Sequence, residues 1–179
     1  MQQSKNKFWW DGLDRAIGNA NAQNVSILYV LGSTPKWAAS DKKQGTYPNK
    51  GAASMPKIKD WKNWVKAVVN RYGDSIESYQ IWNEANLKDF WQGTPKQMAE
   101  LTKEASKIIR KGDPTAKIVS ASTTLRLESA YEKFFPPYLK ALKKDKWPVD
   151  AIAVHSYPDG QGNPGTRADL ISQVKVQLK

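Results

Sequence analysis

A carboxyl side chain and an amide side chain follow directly on a short apolar segment. Asn83 and Glu84 come after residues 78–82, in the order S-Y-Q-I-W-N-E. A carboxylic acid in an apolar setting can protonate the leaving oxygen when a glycosidic bond breaks. The amide offers a donor and an acceptor that suit a sugar hydroxyl near the reacting carbon. The pair therefore indicates acid catalysis on a glycoside, and a plain solvated loop is the alternative.

Two further polar and aromatic groups also follow apolar segments. T-P-K-W at residues 34–37 follows the apolar segment 25–31, and H-S-Y-P at residues 155–158 closes the segment 150–155. Functional residues of a (β/α)8 barrel collect at the carboxyl ends of its strands. No glycine-rich phosphate loop supports a nucleotide-binding sheet instead. The placement therefore favours a barrel over an open doubly wound sheet.

Four short segments predict the strands that would position these groups. They lie at residues 25–31, 78–82, 117–121 and 150–155. Residues 25–31, V-S-I-L-Y-V-L, form a nearly continuous apolar run that is typical of a parallel strand buried on both faces. Helical patterns lie before, between and after the strands, and this regular alternation predicts an α/β fold with crossover helices.

The helices are marked by apolar residues at helical spacing. Residues 94–111 give the clearest pattern, which Thr94 and Gln97 open as a capping box and Gly112 ends. The same spacing predicts helices at residues 13–20 and 58–72.

Two features after the third strand shape the remaining helices. The sequence F-F-P-P at residues 134–137 predicts that residues 129–144 form two helical pieces, because proline interrupts a helix. Thr166 with Asp169 predicts the N-cap of a final helix.

Four segments together resemble the clan A glycoside hydrolases, particularly family 39 and its relatives. They are W-x-x-L-D-R-A-I at residues 10–17, S-I-L-Y-V-L-G-S-T-P-K-W-A at 26–38, Y-Q-I-W-N-E-A-N at 79–86 and I-A-V-H-S-Y-P at 152–158. Their order and approximate spacing agree with the family over nearly the whole chain. The resemblance implies that the four predicted strands are strands three to six of a (β/α)8 barrel.

The resemblance also implies roles for individual residues. Glu84 would be the general acid/base and Asn83 the partner of the sugar 2-hydroxyl. Trp37 would line the sugar cleft, while His155 and Tyr157 would face the substrate, with Tyr157 placed to hydrogen-bond the nucleophile. Structural alternatives remain for Trp37 and for His155, which is the only histidine. Trp91 is either an aromatic platform for a neighbouring sugar or a helix-packing residue.

The chain departs from the family pattern at the nucleophile. The family has a glutamate at the end of strand seven, and nothing here matches strands one, two, seven or eight. We therefore expect residues 1–179 to be a single, partial catalytic domain that is inactive alone. Glu128 and Asp159 are the nearest substitutes, and neither is assigned the role.

Two functions from different classes remain open. The first is retaining hydrolysis of a β-linked oligo- or polysaccharide by double displacement. The second is a carbohydrate-binding remnant that stacks sugars without cleaving them. The eight Trp residues suit this function as well as the first. The side-by-side Asn83 and Glu84 favour the hydrolase, since a binding module has no need of that pair.

Composition excludes several other classes. The net charge of +11 arises from lysines scattered over helical stretches, so we expect no nucleic-acid partner, although the charge favours an acidic glycan. No Cys and one His predict neither a metal site nor a cofactor. No signal peptide or membrane-spanning stretch is evident, and the compartment stays open, since lack of Cys is compatible with export. The open sheet edges predict self-association.

Overall fold

The secondary structure alternates between helices and short strands, as the sequence predicts. The computed structural model describes residues 2–45, 48–157 and 164–178. The helices are α1 (Asp11–Ala22), α2 (Ile58–Tyr72), α3 (Pro95–Gly112), α4 (Glu128–Lys144) and α5 (Pro164–Gln177). The strands are β1 (Gln2–Ser4), β2 (Lys7–Phe8), β3 (Leu28–Val30), β4 (Ser78–Gln80), β5 (Lys117–Val119), β6 (Thr123–Thr124) and β7 (Val154–His155).

Parallel strands lie side by side in chain order. β3, β4 and β5 form one sheet, and β6 pairs with β7 beyond it. A parallel bridge between Val119 and Ala151 joins the end of β5 to the segment that leads into β7. The four predicted strand regions are therefore confirmed as neighbours, although each regular strand is shorter than its segment. β1 and β2 form an antiparallel hairpin that the sequence analysis did not predict.

The two faces of the sheet differ because successive side chains on a strand alternate in direction. Tyr29, Tyr79 and Ile118 form one cross-strand row, and Tyr79 and Ile118 are completely buried. Val30, Gln80 and Val119 form the adjacent row on the opposite face. The first row belongs to the hydrophobic core that the helices share.

The expectation that residues 25–31 are buried on both faces is wrong. Val25, Leu28 and Val30 are 57%, 50% and 39% exposed, whereas Leu31 is buried. β3 is the first strand of its sheet, so within the described ranges nothing pairs with its other edge. Apolar side chains of β3 are therefore exposed beside an edge at which no described strand lies.

Helices α2 and α3 pack closely on one face of the sheet. The predicted capping box is confirmed, because Thr94 Oγ1 accepts from Gln97 N at 3.2 Å and Gln97 Oε1 accepts from Thr94 N at 2.7 Å. At the other end of α3, a Cβ on Gly112 would lie 2.6 Å from a methyl of Val69. Gly112 thus ends the helix and allows the close approach of α2.

The predicted break in the fourth helix is wrong. α4 continues through Pro136 and Pro137. Its buried side chains lie on both sides of the prolines, and Tyr138 Oη also bonds the hydroxyl of Thr102 at 2.9 Å. The packing offsets the hydrogen bonds that the prolines cannot make.

The predicted cap of the last helix is also wrong, because α5 begins at Pro164 and Thr166 lies inside it. Within the described ranges, no helix combines the length and the apolar character needed to cross a membrane.

Candidate active site

Glu84 and His155 meet at the carboxyl ends of their strands, although they are far apart in sequence. Glu84 follows β4 and His155 ends β7. Oε1 of Glu84 lies 2.8 Å from Nδ1 of His155. The side chains are 17% and 28% exposed, so the contact is sheltered but reachable. The Glu84 carboxyl therefore has an imidazole as its direct hydrogen-bond partner.

The loops between the strands explain why these two residues meet. The side chain of Asn86 exchanges two hydrogen bonds with the backbone of Thr124, at 2.8 and 2.9 Å. Thr124 is paired with His155 in the register of β6 and β7. The loop that carries Glu84 is therefore fixed to the strand that lies beside His155.

Tyr157 packs against the histidine from the solvent side. Its ring meets the His155 ring edge-on, with centroids 5.9 Å apart and planes at 81°. Tyr157 is 56% exposed, so most of the phenol remains available to a ligand. The structure thus brings together Glu84, His155 and Tyr157.

Asn83 lines a cavity beside this cluster. The cavity has a volume of about 290 Å³, and a second one of about 430 Å³ lies next to it. The two cavities share five lining residues, Val30, Gly32, Ser33, Pro48 and Trp82. Ligand pockets run from about 300 Å³ upward, so the pair is large enough for a small saccharide.

The turn that carries the site has an unusual backbone. Trp82 and Glu84 both have positive φ, at 139° and 43°. Non-glycine residues adopt such angles rarely, and surrounding contacts have to hold them. Trp82 is 2% exposed and its indole N–H donates to the Phe90 carbonyl at 2.8 Å. The buried indole anchors the turn, while Asn83 and Glu84 face the rim.

Ser122 is a part of the site that the sequence analysis missed. It accepts the Glu84 backbone N–H on its hydroxyl at 2.9 Å and the Ala85 N–H on its carbonyl at 2.9 Å. Its side chain is buried. The available indication was its position immediately after the predicted strand 117–121, at the same rim as Asn83 and Glu84.

The platform role considered for Trp91 is wrong in this structure. Trp91 is 3% exposed and packs its ring edge against Trp82, with centroids 5.2 Å apart. A sugar needs an open aromatic face, and Trp91 does not offer one. The packing alternative therefore describes it.

Trp37 contacts a different part of the molecule. Its indole N–H donates to the carbonyl of Gln2 at 3.4 Å, which links the T-P-K-W segment to the N-terminal hairpin. The contacts of the Glu84 cluster involve Ser122 and His155 but not Trp37. Its place in a sugar cleft stays a prediction.

The candidates for a second carboxyl do not join the cluster in the described structure. Glu128 is an exposed residue at the start of α4, and Asp159 lies outside the described residues. Across residues 2–45, 48–157 and 164–178, the hydrogen bonds of Glu84 and His155 reach no other carboxyl. The same ranges contain no group of three or more His, Cys, Asp or Glu side chains that could hold a metal ion.

Solved structures share this fold. A monomeric beta-xylosidase from Caulobacter crescentus CB15 matches with a TM-score of 0.76 at 22% identity, covering 99% of this chain and 39% of the other. A GH10 xylanase from Thermobacillus composti matches with a TM-score of 0.68 at 16% identity, covering 99% and 53%. The predicted (β/α)8 fold is confirmed for the part of the barrel that this chain forms.

Sequence relatives and a family model identify the lineage. A beta-xylosidase of Caldicellulosiruptor saccharolyticus is 30% identical over 118 residues, which are 61% of this chain and 23% of the relative. A beta-xylosidase of Geobacillus stearothermophilus is 25% identical over 154 residues, 81% of this chain and 30% of the relative. The chain thus spans less than a third of these curated relatives. The model of the glycosyl hydrolases family 39 matches residues 5–177, and the chain belongs to that family.

Proposed function

We propose that this chain supplies the acid/base part of a retaining β-glycosidase. The observation that carries the proposal is the contact between Glu84 and His155 at the strand ends, 2.8 Å long, in a chain of family 39. Acid catalysis needs a sheltered carboxyl that can gain and lose a proton, and Glu84 is sheltered with an imidazole beside it.

The two oxygens of Glu84 suggest how the acid is aimed. Oε1 contacts His155, and Oε2 accepts no hydrogen bond from any described residue. Oε2 is therefore the oxygen left to face a leaving group. We assign His155 the role of holding the carboxyl in this orientation, with Tyr157 packed behind the imidazole ring.

The reaction would proceed by double displacement. Glu84 protonates the glycosidic oxygen as a carboxylate nucleophile attacks the anomeric carbon, which breaks the bond and forms a glycosyl-enzyme ester. Glu84 then takes a proton from water, and the water oxygen displaces the nucleophile from the same carbon. Two inversions give net retention. The nucleophile would come from a part of the barrel outside this chain. We call this chain joined to that part the complete enzyme.

The sugar is proposed from the relatives. Both curated relatives are named beta-xylosidase, so we propose a β-xyloside as the substrate. Asn83 lines the neighbouring cavity and would bond the sugar 2-hydroxyl. The net charge of +11 supports a glycan that carries acidic groups.

Replacing Glu84 in the complete enzyme tests the proposal. Glu84→Gln should reduce hydrolysis of an unactivated β-xyloside by about 10²–10⁴-fold, because the leaving oxygen loses its proton donor. A dinitrophenyl xyloside, whose leaving group needs no proton, should lose less in kcat/KM. Glu128→Gln, at an exposed carboxyl, is the matched control. Wild-type cleavage of the unactivated substrate by Glu84→Gln would refute the assignment.

Sugar binding without cleavage is the second candidate. It is favoured by the lack of a second carboxyl in contact with Glu84 or His155 among the described residues. The two functions differ in one measurement, because a binding remnant would show saturable Trp fluorescence changes with xylo-oligosaccharides and no release of reducing ends in any form of the protein.

A further inference from the structure

The hydroxyl of Ser122 lies at the centre of the turn that carries Glu84. It accepts from the Glu84 N–H at 2.9 Å and from the side-chain amide of Gln80 at 3.3 Å, and it donates to Asn83 Oδ1 at the longer distance of 3.5 Å. A serine hydroxyl has one proton to donate and two lone pairs to accept with. All of this capacity is engaged at a position with no solvent exposure.

The backbone of Ser122 holds the same turn at two further points. Its N–H donates to the Trp82 carbonyl at 3.0 Å, and its carbonyl accepts from Ala85 at 2.9 Å. The Trp82 carbonyl also accepts from the Gln80 side-chain amide at 2.9 Å. Ser122, at the end of the neighbouring strand, therefore bonds the turn on both sides of Asn83 and Glu84.

The conformation of the turn shows why it needs these contacts. Trp82 and Glu84 have backbone φ angles of 139° and 43°. Residues other than glycine adopt such angles only when their surroundings impose them. The backbone bonds of Ser122 would survive loss of its hydroxyl, but the Glu84 N–H would lose its acceptor. The turn could then relax, and the carboxyl would leave its position against His155.

We propose that Ser122, itself oriented by Gln80, is a positioning residue that fixes the turn so that Glu84 is aimed at the leaving oxygen. The inference rests on the proposed acid/base role of Glu84. A displacement of about 1 Å at a reacting group can cost on the order of 10²-fold in rate, so a buried hydroxyl that touches no substrate can still control the reaction.

The test compares Ser122→Ala with Thr123→Val in the complete enzyme. Thr123 is the next residue, equally buried, and its hydroxyl has no hydrogen-bond partner among the described residues. The substrates are phenyl β-xyloside and dinitrophenyl β-xyloside, measured as kcat/KM so that both report the first displacement. Ser122→Ala should lose about 10 to 100-fold on the phenyl substrate and much less on the dinitrophenyl one. Thr123→Val should lose little on either.

A purely structural role would give a different result. An equal loss on both substrates by a folded Ser122→Ala enzyme, or a loss as large and as selective in Thr123→Val, would overturn the inference. If Ser122→Ala does not fold, Gln80→Leu decides, because it keeps the Ser122 hydroxyl but removes the donor that orients it. A selective loss on the phenyl substrate supports the role, and an unselective one overturns it.

Glu84→Gln, run beside these variants, separates the two proposals. If Glu84→Gln loses selectively on the phenyl substrate while Ser122→Ala does not, the positioning inference fails and the acid/base role stands. If Glu84→Gln shows no dependence on the leaving group, the acid/base role fails, and the inference fails with it.

Discussion

The rim around Glu84 and the free edge of β3 lie on neighbouring strands. The residues of the rim have partners within the chain, whereas those of the edge are exposed and unpaired on that side by any described strand. At the rim, Glu84 is tied to Ser122 through its backbone and to His155 through its carboxyl. At the edge, Leu28 and Val30 are 50% and 39% exposed, and no described strand pairs with β3 on that side.

This difference separates the contacts that orient Glu84 from those that would cover the exposed face of β3. The groups that would aim the acid are supplied by β4, β5 and β7 and by the segments that follow them, all of which lie within this chain. The exposed face of β3 borders the cavity that Asn83 lines, and Val30 belongs to both. We infer that the contacts that hold Glu84 are complete within this chain, whereas the apolar face of β3 is left exposed.

The largest expected effect concerns the chain on its own. Residues 1–179 should release no reducing ends from β-xylosides above the background of their own Glu84→Gln variant, because no second carboxyl contacts the Glu84 cluster in the described residues. A reducing-end assay over several β-glycans measures this. Turnover that Glu84→Gln abolishes would contradict the expectation and would direct attention to Glu128 or Asp159 as the second group.

The next prediction compares a buried residue with an edge residue. Ile118 is fully buried in the row that packs against the helices, whereas Leu28 is half exposed on the open face. Ile118→Ala should lower the free energy of unfolding by about 2–5 kcal/mol, through lost burial and the cavity left behind. Leu28→Ala in the same chain should change it by about 0.5 kcal/mol or less.

Urea unfolding at low protein concentration measures both variants, so that association does not contribute. Equal losses for Ile118→Ala and Leu28→Ala would mean that the edge is covered in solution, which would remove the contrast between the two regions.

A third prediction concerns self-association through the same edge. Exposed apolar edge strands pair with other chains, and an added charge opposes this. Val30→Lys should shift the chain toward monomer in size-exclusion chromatography with light scattering. Val176→Lys is the control, since Val176 is 68% exposed on α5 and receives the same charge. An equal shift in both variants would indicate a general effect of charge, and the edge would lose its proposed role.

Sequence reasoning succeeded where local chemistry decides the structure. The capping box of Thr94 and Gln97 needs only residues three apart, and it is present as predicted. The strand regions were recognisable because apolar residues alternate with helical patterns at regular intervals. The resemblance placed Glu84 and His155 at the same rim, and the structure brings them into contact.

It failed where packing overrides a local rule. Proline predicts a break, but buried contacts on both sides keep α4 continuous. An aromatic residue near a site suggests a sugar platform, but Trp91 turns its ring into the core against Trp82. Ser122 was missed because a serine after a strand is common, and only the positive φ of Trp82 and Glu84 shows what its hydroxyl holds.

The smallest expected effect lies at the link between α1 and α2. Arg71 donates two hydrogen bonds to the Asp14 carboxylate, at 2.9 and 2.7 Å, and the Tyr72 hydroxyl donates a third at 2.6 Å. The Arg71 bond and then the Tyr72 bond lower the pKa of Asp14 to about 2. This link is exposed, so its contribution to stability should be modest.

The sign of its pH dependence follows from the direction of that shift. The folded pKa of Asp14, about 2, lies below the usual value for an unfolded Asp of about 4. The stabilisation is therefore complete above about pH 4 and is lost as the pH falls through the folded value.

Asp14→Asn should lower the Tm slightly at neutral pH, and its difference from wild type should shrink between about pH 4 and pH 2. Asp11→Asn, in the same first turn of α1 but without an ion pair to any described residue, is the matched control in thermal unfolding followed by circular dichroism. A difference between Asp14→Asn and wild type that stays constant down to pH 2 would mean that the Asp14 carboxylate does not anchor α1 to α2, and that other contacts of α1, such as buried Ile17 and the Asn21 bond to Ser75, hold the helix.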